Sequence, residues 1–246
     1  AARRPLQAPH RWEGRPITRA RGQGEARIIV NPARTSEIVG TVFDASPGQV
    51  SESVRLAVAA QPGWAATPVT ERAEILRRIA DLYEAHAGEF FALCAREAGK
   101  TLPDGIAELR EAVDFLRYYA NEAAQAEEGT GARGVIACIS PWNFPLAIFT
   151  GQIAAALVTG NAVVAKPAEQ TCLIATRAVT LMHEAGVPED VLHLLPGDGP
   201  SVGAPLTADP RIAGVCFTGS TEVARAIERQ LARTAAPAAM LIAETG

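Results

Sequence analysis

Val135-Ile136-Ala137-Cys138-Ile139, Ala162-Val163-Val164-Ala165, Val191-Leu192-His193-Leu194-Leu195, Gly214-Val215-Cys216-Phe217 and Met240-Leu241-Ile242-Ala243 are five strand-length apolar runs in the second half of the chain. Segments with helical spacing lie between them, at 146–158, 173–184, 201–206 and 223–233. A strand that is apolar along its whole length, without polar alternation, is covered on both faces, and strands that alternate with helices pair in parallel. The predicted fold class is α/β, a Rossmann-like parallel sheet with helices on both faces. In such a sheet ligands bind in the crevice at the carboxyl ends of the strands. Chemistry is therefore sought in the residues that follow each run.

Upstream of Val135 the rhythm is different. Ser46-Pro47-Gly48-Gln49 sets a capping serine, a proline at the first helical position and a glutamine at the third, so a helix starts there and runs to about Gln61. A second helix is predicted from Thr70 to Gly99, with Ile75, Ile79, Leu82, Tyr83, Phe90, Phe91 and Cys94 at three- and four-residue steps. A third starts near Pro103, with Ile106, Leu109, Val113, Leu116 and Ala120 on one face. The aromatic residues in these helices read as core. Ile28-Ile29-Val30 and Glu37-Ile38-Val39-Gly40-Thr41-Val42 are short β-type runs with the turn signal Asn31-Pro32 between them. Residues 1–27 carry arginines at positions 3, 4, 11, 15, 19 and 21 and little periodicity, and read as an extended, solvated arm. Three regions are expected: the arm at 1–27, strands and helices of a cofactor-binding region at 28–132, and the Rossmann-like core at 133–246.

Composition bounds the function classes. The chain has 246 residues, 48% of them hydrophobic, enough for a sizeable core and incompatible with disorder. With 23 basic and 27 acidic side chains the formal charge is −4, which gives no support to a nucleic-acid or anionic-membrane surface. The longest apolar window, Leu146 to Ala165, is interrupted by Gly151, Gln152, Gly160 and Asn161, so no transmembrane span is expected. Cys94, Cys138, Cys172 and Cys216 form no CxxC pair, and nothing reads as a signal peptide. Reduced thiols and a cytoplasmic location are expected, with no metal site.

Four strand ends carry polar groups. Ser140-Pro141-Trp142-Asn143-Phe144-Pro145 brackets Asn143 between prolines that restrict its backbone, and a positioned amide NH₂ suits a developing oxyanion. The same residues also read as an ordinary proline-rich turn. In Lys166-Pro167-Ala168-Glu169 the carboxylate can accept from a ribose diol and the lysine can donate to the same sugar. A negative charge there disfavours a 2′-phosphate, and so favours NAD over NADP. A surface ion pair is the competing reading. In Phe217-Thr218-Gly219-Ser220, Gly219 permits close backbone approach and Ser220 caps a helix whose N-terminus suits a pyrophosphate, although no GxGxxG fingerprint is present. A plain serine cap accounts for it equally well. Glu244-Thr245-Gly246 offers a general base or a solvated carboxylate.

In order, these four segments resemble the motif series of the NAD(P)-dependent aldehyde dehydrogenase superfamily. The resemblance extends over nearly the whole chain. It is nearest to the L-glutamate γ-semialdehyde (Δ1-pyrroline-5-carboxylate) dehydrogenase branch and the dehydrogenase module of bacterial proline utilization A. That assignment rests on Ala243-Glu244-Thr245-Gly246, Ala98-Gly99-Lys100-Thr101 and the stretch Glu111-Ala112-Val113-Asp114-Phe115-Leu116-Arg117-Tyr118-Tyr119.

The resemblance implies NAD-dependent oxidation of L-glutamate γ-semialdehyde to L-glutamate in proline catabolism, through a thiohemiacetal and a thioester on a cysteine. Asn143 would hold the oxyanion and Glu244 would activate the hydrolytic water. Ser140, Pro141, Trp142, Lys166, Glu169, Phe217, Gly219, Ser220, Glu244 and Gly246 would line the cofactor, and Phe144 would flank the substrate. It further implies a homo-oligomer, fused to or partnered with a proline dehydrogenase module. The pattern departs from the family at the nucleophile. None of the four cysteines stands where the family carries it, a few tens of residues beyond Glu244. Cys138 and Cys216 fall inside strands where a thiol is inert with a raised pKa. The catalytic cysteine is expected beyond residue 246, and these residues alone are expected to be inactive. Rival readings are a non-catalytic nucleotide-binding fragment, a CoA-acylating aldehyde dehydrogenase, against which Glu244 argues, and an aldehyde dehydrogenase of broader range.

Overall fold

A computed structural model describes residues 11–22, 24–125, 131–234 and 239–246. Among these, β1 (Trp12–Gly14), β2 (Ala26–Asn31) and β3 (Arg34–Phe43) form a small sheet of order β1-β3-β2, parallel at β1 and antiparallel at β2. Four helices follow: α1 (Pro47–Ala66), α2 (Val69–Ala85), α3 (Ala87–Arg96) and α4 (Leu102–Gln125). The second half alternates β4 (Val135–Ile139), α5 (Ala147–Val158), β5 (Ala162–Lys166), α6 (Cys172–Glu184), β6 (Leu192–Leu194), α7 (Ala204–Ala208), β7 (Ile212–Gly219), α8 (Thr221–Thr234) and β8 (Met240–Thr245). The five strands form one parallel sheet of order β6-β5-β4-β7-β8. The α/β parallel sheet expected from the apolar runs is the observed fold. Its central strands β4 and β5 are buried at every position.

The capping box is present as read. Ser46 Oγ accepts from the Gln49 N–H (3.4 Å), and Gln49 Oε1 accepts from the Ser46 N–H (3.0 Å). Three local expectations are corrected. The helix begun at Pro47 does not stop at Gln61 but continues through Pro62 to Ala66. Trp64 Nε1 donates to Leu157 O (2.9 Å) and Gln61 Nε2 to Gly160 O (3.0 Å), tertiary bonds that offset the amide missing at proline. The single helix expected over 70–99 is two, because His86 leaves helical dihedrals (φ −102°, ψ 21°). The arm is docked in part over its described residues, although Arg11, Arg15, Arg19 and Arg21 are exposed as expected. Trp12–Gly14 pairs with β3, Ile17 exchanges two backbone hydrogen bonds with Leu194 (3.0 Å each), and Ala20 is buried. Residues 1–10, with Arg3 and Arg4, lie outside the described residues. No described helix is long and apolar enough to cross a membrane.

Candidate active site

Parallel register sets the site. Ile139 pairs with Lys166 on one side and with Phe217 on the other, Phe217 pairs with Ala243, and Gly219 with Thr245. The segments that leave these strands therefore depart from one rim of the sheet. Ser140–Pro145, Pro167–Glu169, Ser220 and Gly246 are all on it, and Glu244 is one residue inside it.

At the β4 end, Ser140 is buried and its N–H donates to Lys166 O (3.3 Å). Pro141 is half-buried and Asn143 exposed. Trp142 is 58% exposed and Phe144 40% exposed, large apolar surfaces standing in solvent on either side of the asparagine. Pro145 and Leu146 turn back into the core. Two residues that sequence reasoning gave no role hold this loop. The buried Glu108 carboxylate accepts from the Leu146 and Ala147 N–H groups (3.1 and 2.9 Å), capping α5 from another helix. Lys100 Nζ lies 2.8 Å from Glu108 Oε1 and 4.5 Å from the centre of the Phe144 ring.

At the β5 end, Lys166 is buried and its Nζ donates to Pro167 O (2.9 Å). Burial lowers its pKa, against the opposing pull of Cys172, Glu169 and Asp198. Glu169 is half-buried. Arg27, from β2, donates to Glu169 O (2.6 Å), to both Asp44 oxygens (2.9 and 3.0 Å) and to Cys172 Sγ (3.2 Å). The buried Glu97 caps the next helix as Glu108 caps α5, accepting from Leu173 and Ile174 N–H (2.7 and 2.8 Å). Burial pushes its carboxyl up to about 8, while the two amides pull it down. Neither glutamate carried a sequence signal, because each acts on a helix tens of residues away.

The β7 end differs. Ser220 is exposed, its Oγ accepts from the Val223 N–H (3.3 Å), and its carbonyl accepts from the Ala224 N–H (3.0 Å). The N-termini of α5 and α6 are each filled by a buried carboxylate, whereas α8 begins at the rim behind its own serine and faces solvent. A Cβ on Gly219 would come within 2.5 Å of the Phe217 ring, so a side chain there would have to displace that ring. Gln152 Nε2 ties the strand end to α5 through Thr218 Oγ1 (3.2 Å). At the β8 end Glu244, Thr245 and Gly246 are exposed, and Glu244 lies close enough to Tyr119 to help raise its pKa, after burial, Tyr118 and Cys216.

The thiols do not supply a nucleophile at the rim. Cys94 is buried and shifted up by desolvation, and Cys172 is buried, bonded to Arg27 and pushed up to about 12. The expectation of two inert strand thiols holds for Cys138 and fails for Cys216. Cys216 is half-buried, and its pKa is lowered because Cys138 hydrogen-bonds to it. Among the described residues no group of three or more His, Cys, Asp or Glu is placed to hold a metal. A cavity of about 360 Å³ lined by Arg19, Trp64, Thr67 and Asp190 borders Val191, which precedes β6, and so lies toward the amino end of the sheet, away from the rim.

The sequence pattern of the aldehyde dehydrogenase family matches residues 19–246. The chain belongs to that family. It is 51% identical over 245 residues to the bifunctional protein PutA of Klebsiella aerogenes, covering 97% of this chain and 19% of that protein. It is 38% identical to a 1-pyrroline-5-carboxylate dehydrogenase of Anoxybacillus flavithermus, covering 84% of this chain and 43% of that one. The solved structure of a 1-pyrroline-5-carboxylate dehydrogenase from Thermus with bound NAD superposes with a TM-score of 0.92 at 31% identity, covering 100% of this chain and 51% of that chain. The chain thus spans between a fifth and a half of the length of these relatives.

Proposed function

We propose that these residues form the NAD-binding part of an L-glutamate γ-semialdehyde dehydrogenase of proline catabolism. The full-length enzyme would be cytoplasmic and oligomeric, joined to or partnered with a proline dehydrogenase module. The observation that carries the reading is the shared rim. The register brings Asn143, Glu169, the N-terminus of α8 and Glu244 to the carboxyl ends of neighbouring parallel strands, which supports a common binding site.

The residues present fit NAD. Glu169 is half-exposed at the rim, beside the buried Lys166 whose Nζ donates to Pro167 O, and α8 offers a rim helix N-terminus that no buried glutamate fills. Lys166 and Glu169 would hold the adenosine ribose, and Gly219 and Ser220 the pyrophosphate. Ser140, Pro141, Trp142, Phe217, Glu244 and Gly246 would border the rest. When bound, NAD supplies the hydride acceptor. Asn143 donates its amide N–H to the oxyanion that forms when a thiolate adds to the aldehyde, and Phe144 walls the substrate. Glu244 removes a proton from the water that hydrolyses the thioester. The four thiols here are buried or set inside the fold, so the nucleophile comes from elsewhere in the full-length enzyme.

Calorimetric titration of the chain tests the cofactor reading. NAD binds, NADP binds more weakly, and Glu169→Ala weakens NAD about tenfold, the loss of roughly one charge-assisted hydrogen bond. A folded chain that ignores NAD sinks the proposal. In the full-length enzyme γ-semialdehyde is oxidised faster than hexanal, and the reverse order overturns the substrate assignment. NADH formation by residues 1–246 alone with γ-semialdehyde would overturn the external nucleophile.

A further inference from the structure

Cys138 and Cys216 are directly paired residues of neighbouring parallel strands, β4 and β7. Directly paired residues project from the same face of a sheet, and adjacent strands lie about 4.8 Å apart, inside the Cα separation that a disulfide spans. Cys138 is buried and Cys216 is half-buried. In the same row Cys216 pairs on its other side with Ile242, which is half-exposed on the edge strand β8, so that side of the pair is toward solvent. The other two cysteines lack this arrangement: Cys94 is buried within α3, and Cys172 is engaged by Arg27.

We propose that Cys138 and Cys216 are an oxidisable dithiol, converted by a hydroperoxide into a disulfide that links β4 to β7 across the middle of the sheet. The order of events follows from the surroundings. The hydrogen bond from Cys138 holds Cys216 below the ordinary thiol range, and that bond together with burial holds Cys138 well above it. Cys216, the half-buried thiol on the solvent side of the pair, therefore meets the peroxide first as thiolate, and the fully buried Cys138 resolves. In the first step a bond forms between the Cys216 sulfur and a peroxide oxygen, the O–O bond breaks, and the leaving hydroxide takes a proton to become water. This yields a sulfenic acid. In the second step the Cys138 sulfur, giving up its proton, bonds to the sulfenyl sulfur, the S–O bond breaks and a second water leaves. Two thiols and one hydrogen peroxide give one disulfide and two waters; each sulfur loses one electron and the peroxide gains two. The inference does not rest on the proposed function, since it needs neither NAD nor aldehyde.

Treatment of the folded chain with hydrogen peroxide, followed by denaturing alkylation and peptide mass mapping, provides the test. The number of alkylatable thiols falls from four to two, a Cys138–Cys216 linked peptide appears, and dithiothreitol restores all four. Four surviving thiols, or sulfinic acid at Cys216 without the linked peptide, would overturn the proposal on the unmodified chain, whatever the variants do. In Cys138→Ser the sulfenic acid persists at Cys216 and is trapped by dimedone; absence of that adduct counts against the pair. Cys216→Ser keeps its three thiols under the same treatment, and their loss at the parent rate would equally sink the idea.

Discussion

At one edge of the five-stranded sheet β6 is buried at all three positions, while at the other edge β8 runs from half-buried Met240 and Leu241 to exposed Ile242, Ala243 and Glu244. The sequences Leu192-His193-Leu194 and Leu241-Ile242-Ala243 do not foretell this, since the second is the more apolar. The difference is what lies alongside. Beyond β6 the arm runs past, with Ile17 bonded to Leu194 and Thr18 Oγ1 within 3.0 Å of His193 Nδ1 and 2.8 Å of Ser53 Oγ. His193 Nε2 lies 3.1 Å from the Asp190 carbonyl, which can only accept, so Nε2 carries the proton and Nδ1 accepts from Thr18. Beyond β8 no further described strand follows, and Ile242 is 52% exposed. An edge is closed by residues remote in sequence, not by the composition of the edge strand.

The contrast can be broken at either side. The largest effect is expected at the closed edge. Leu194→Ala empties a fully buried site and lowers unfolding free energy by about 3–4 kcal/mol, read from the urea midpoint. Next is pH. Burial drives His193 down from 6.5 to about 4, so the unfolded chain binds the proton more readily than the folded one between those values. The His193 contribution to stability is fully present above 6.5 and is lost as pH falls toward 4, by about 3 kcal/mol at most, while Glu97, held up to about 8, contributes a slope of the opposite sign over the same range. Denaturation series of the parent and of His193→Asn over that range isolate it as the difference between the two, and equal pH slopes in both would overturn it. Thr18→Val removes the donor to His193 and costs about 1–2 kcal/mol, while the backbone bonds of Ile17 to Leu194 stay in place. At the open edge Ile242→Thr changes stability by no more than about 0.5 kcal/mol. A cost there as large as that of Leu194→Ala would mean that β8 is covered in solution, and the comparison would fail.

The order of elements in the second half was legible because a parallel strand must be apolar throughout and its helices must follow, a local signal at every step. The capping box at Ser46 and Gln49 was legible for the same reason: both partners lie within four residues. The rim segments could be quoted from the sequence, since each abuts a recognisable strand. What escaped was non-local. The break at His86 follows from how α2 and α3 pack, with Arg177 Nη2 3.0 Å and Glu89 Oε1 3.2 Å from His86 Nδ1. The passage of α1 through Pro62 depends on carbonyls of Leu157 and Gly160. Glu97 and Glu108 look in sequence like ordinary polar positions on solvated helix faces.

Alternation of apolar runs with helices, the cap at Ser46 and the four polar segments after strands were determined by the sequence itself, because periodicity and steric preference act between residues a few positions apart. Tertiary structure decided which glutamate caps which helix, which edge the arm seals, and that Cys138 faces Cys216. Those outcomes depend on register and on packing between residues up to 177 positions apart, as at Ile17 and Leu194, and no local pattern encodes such distances.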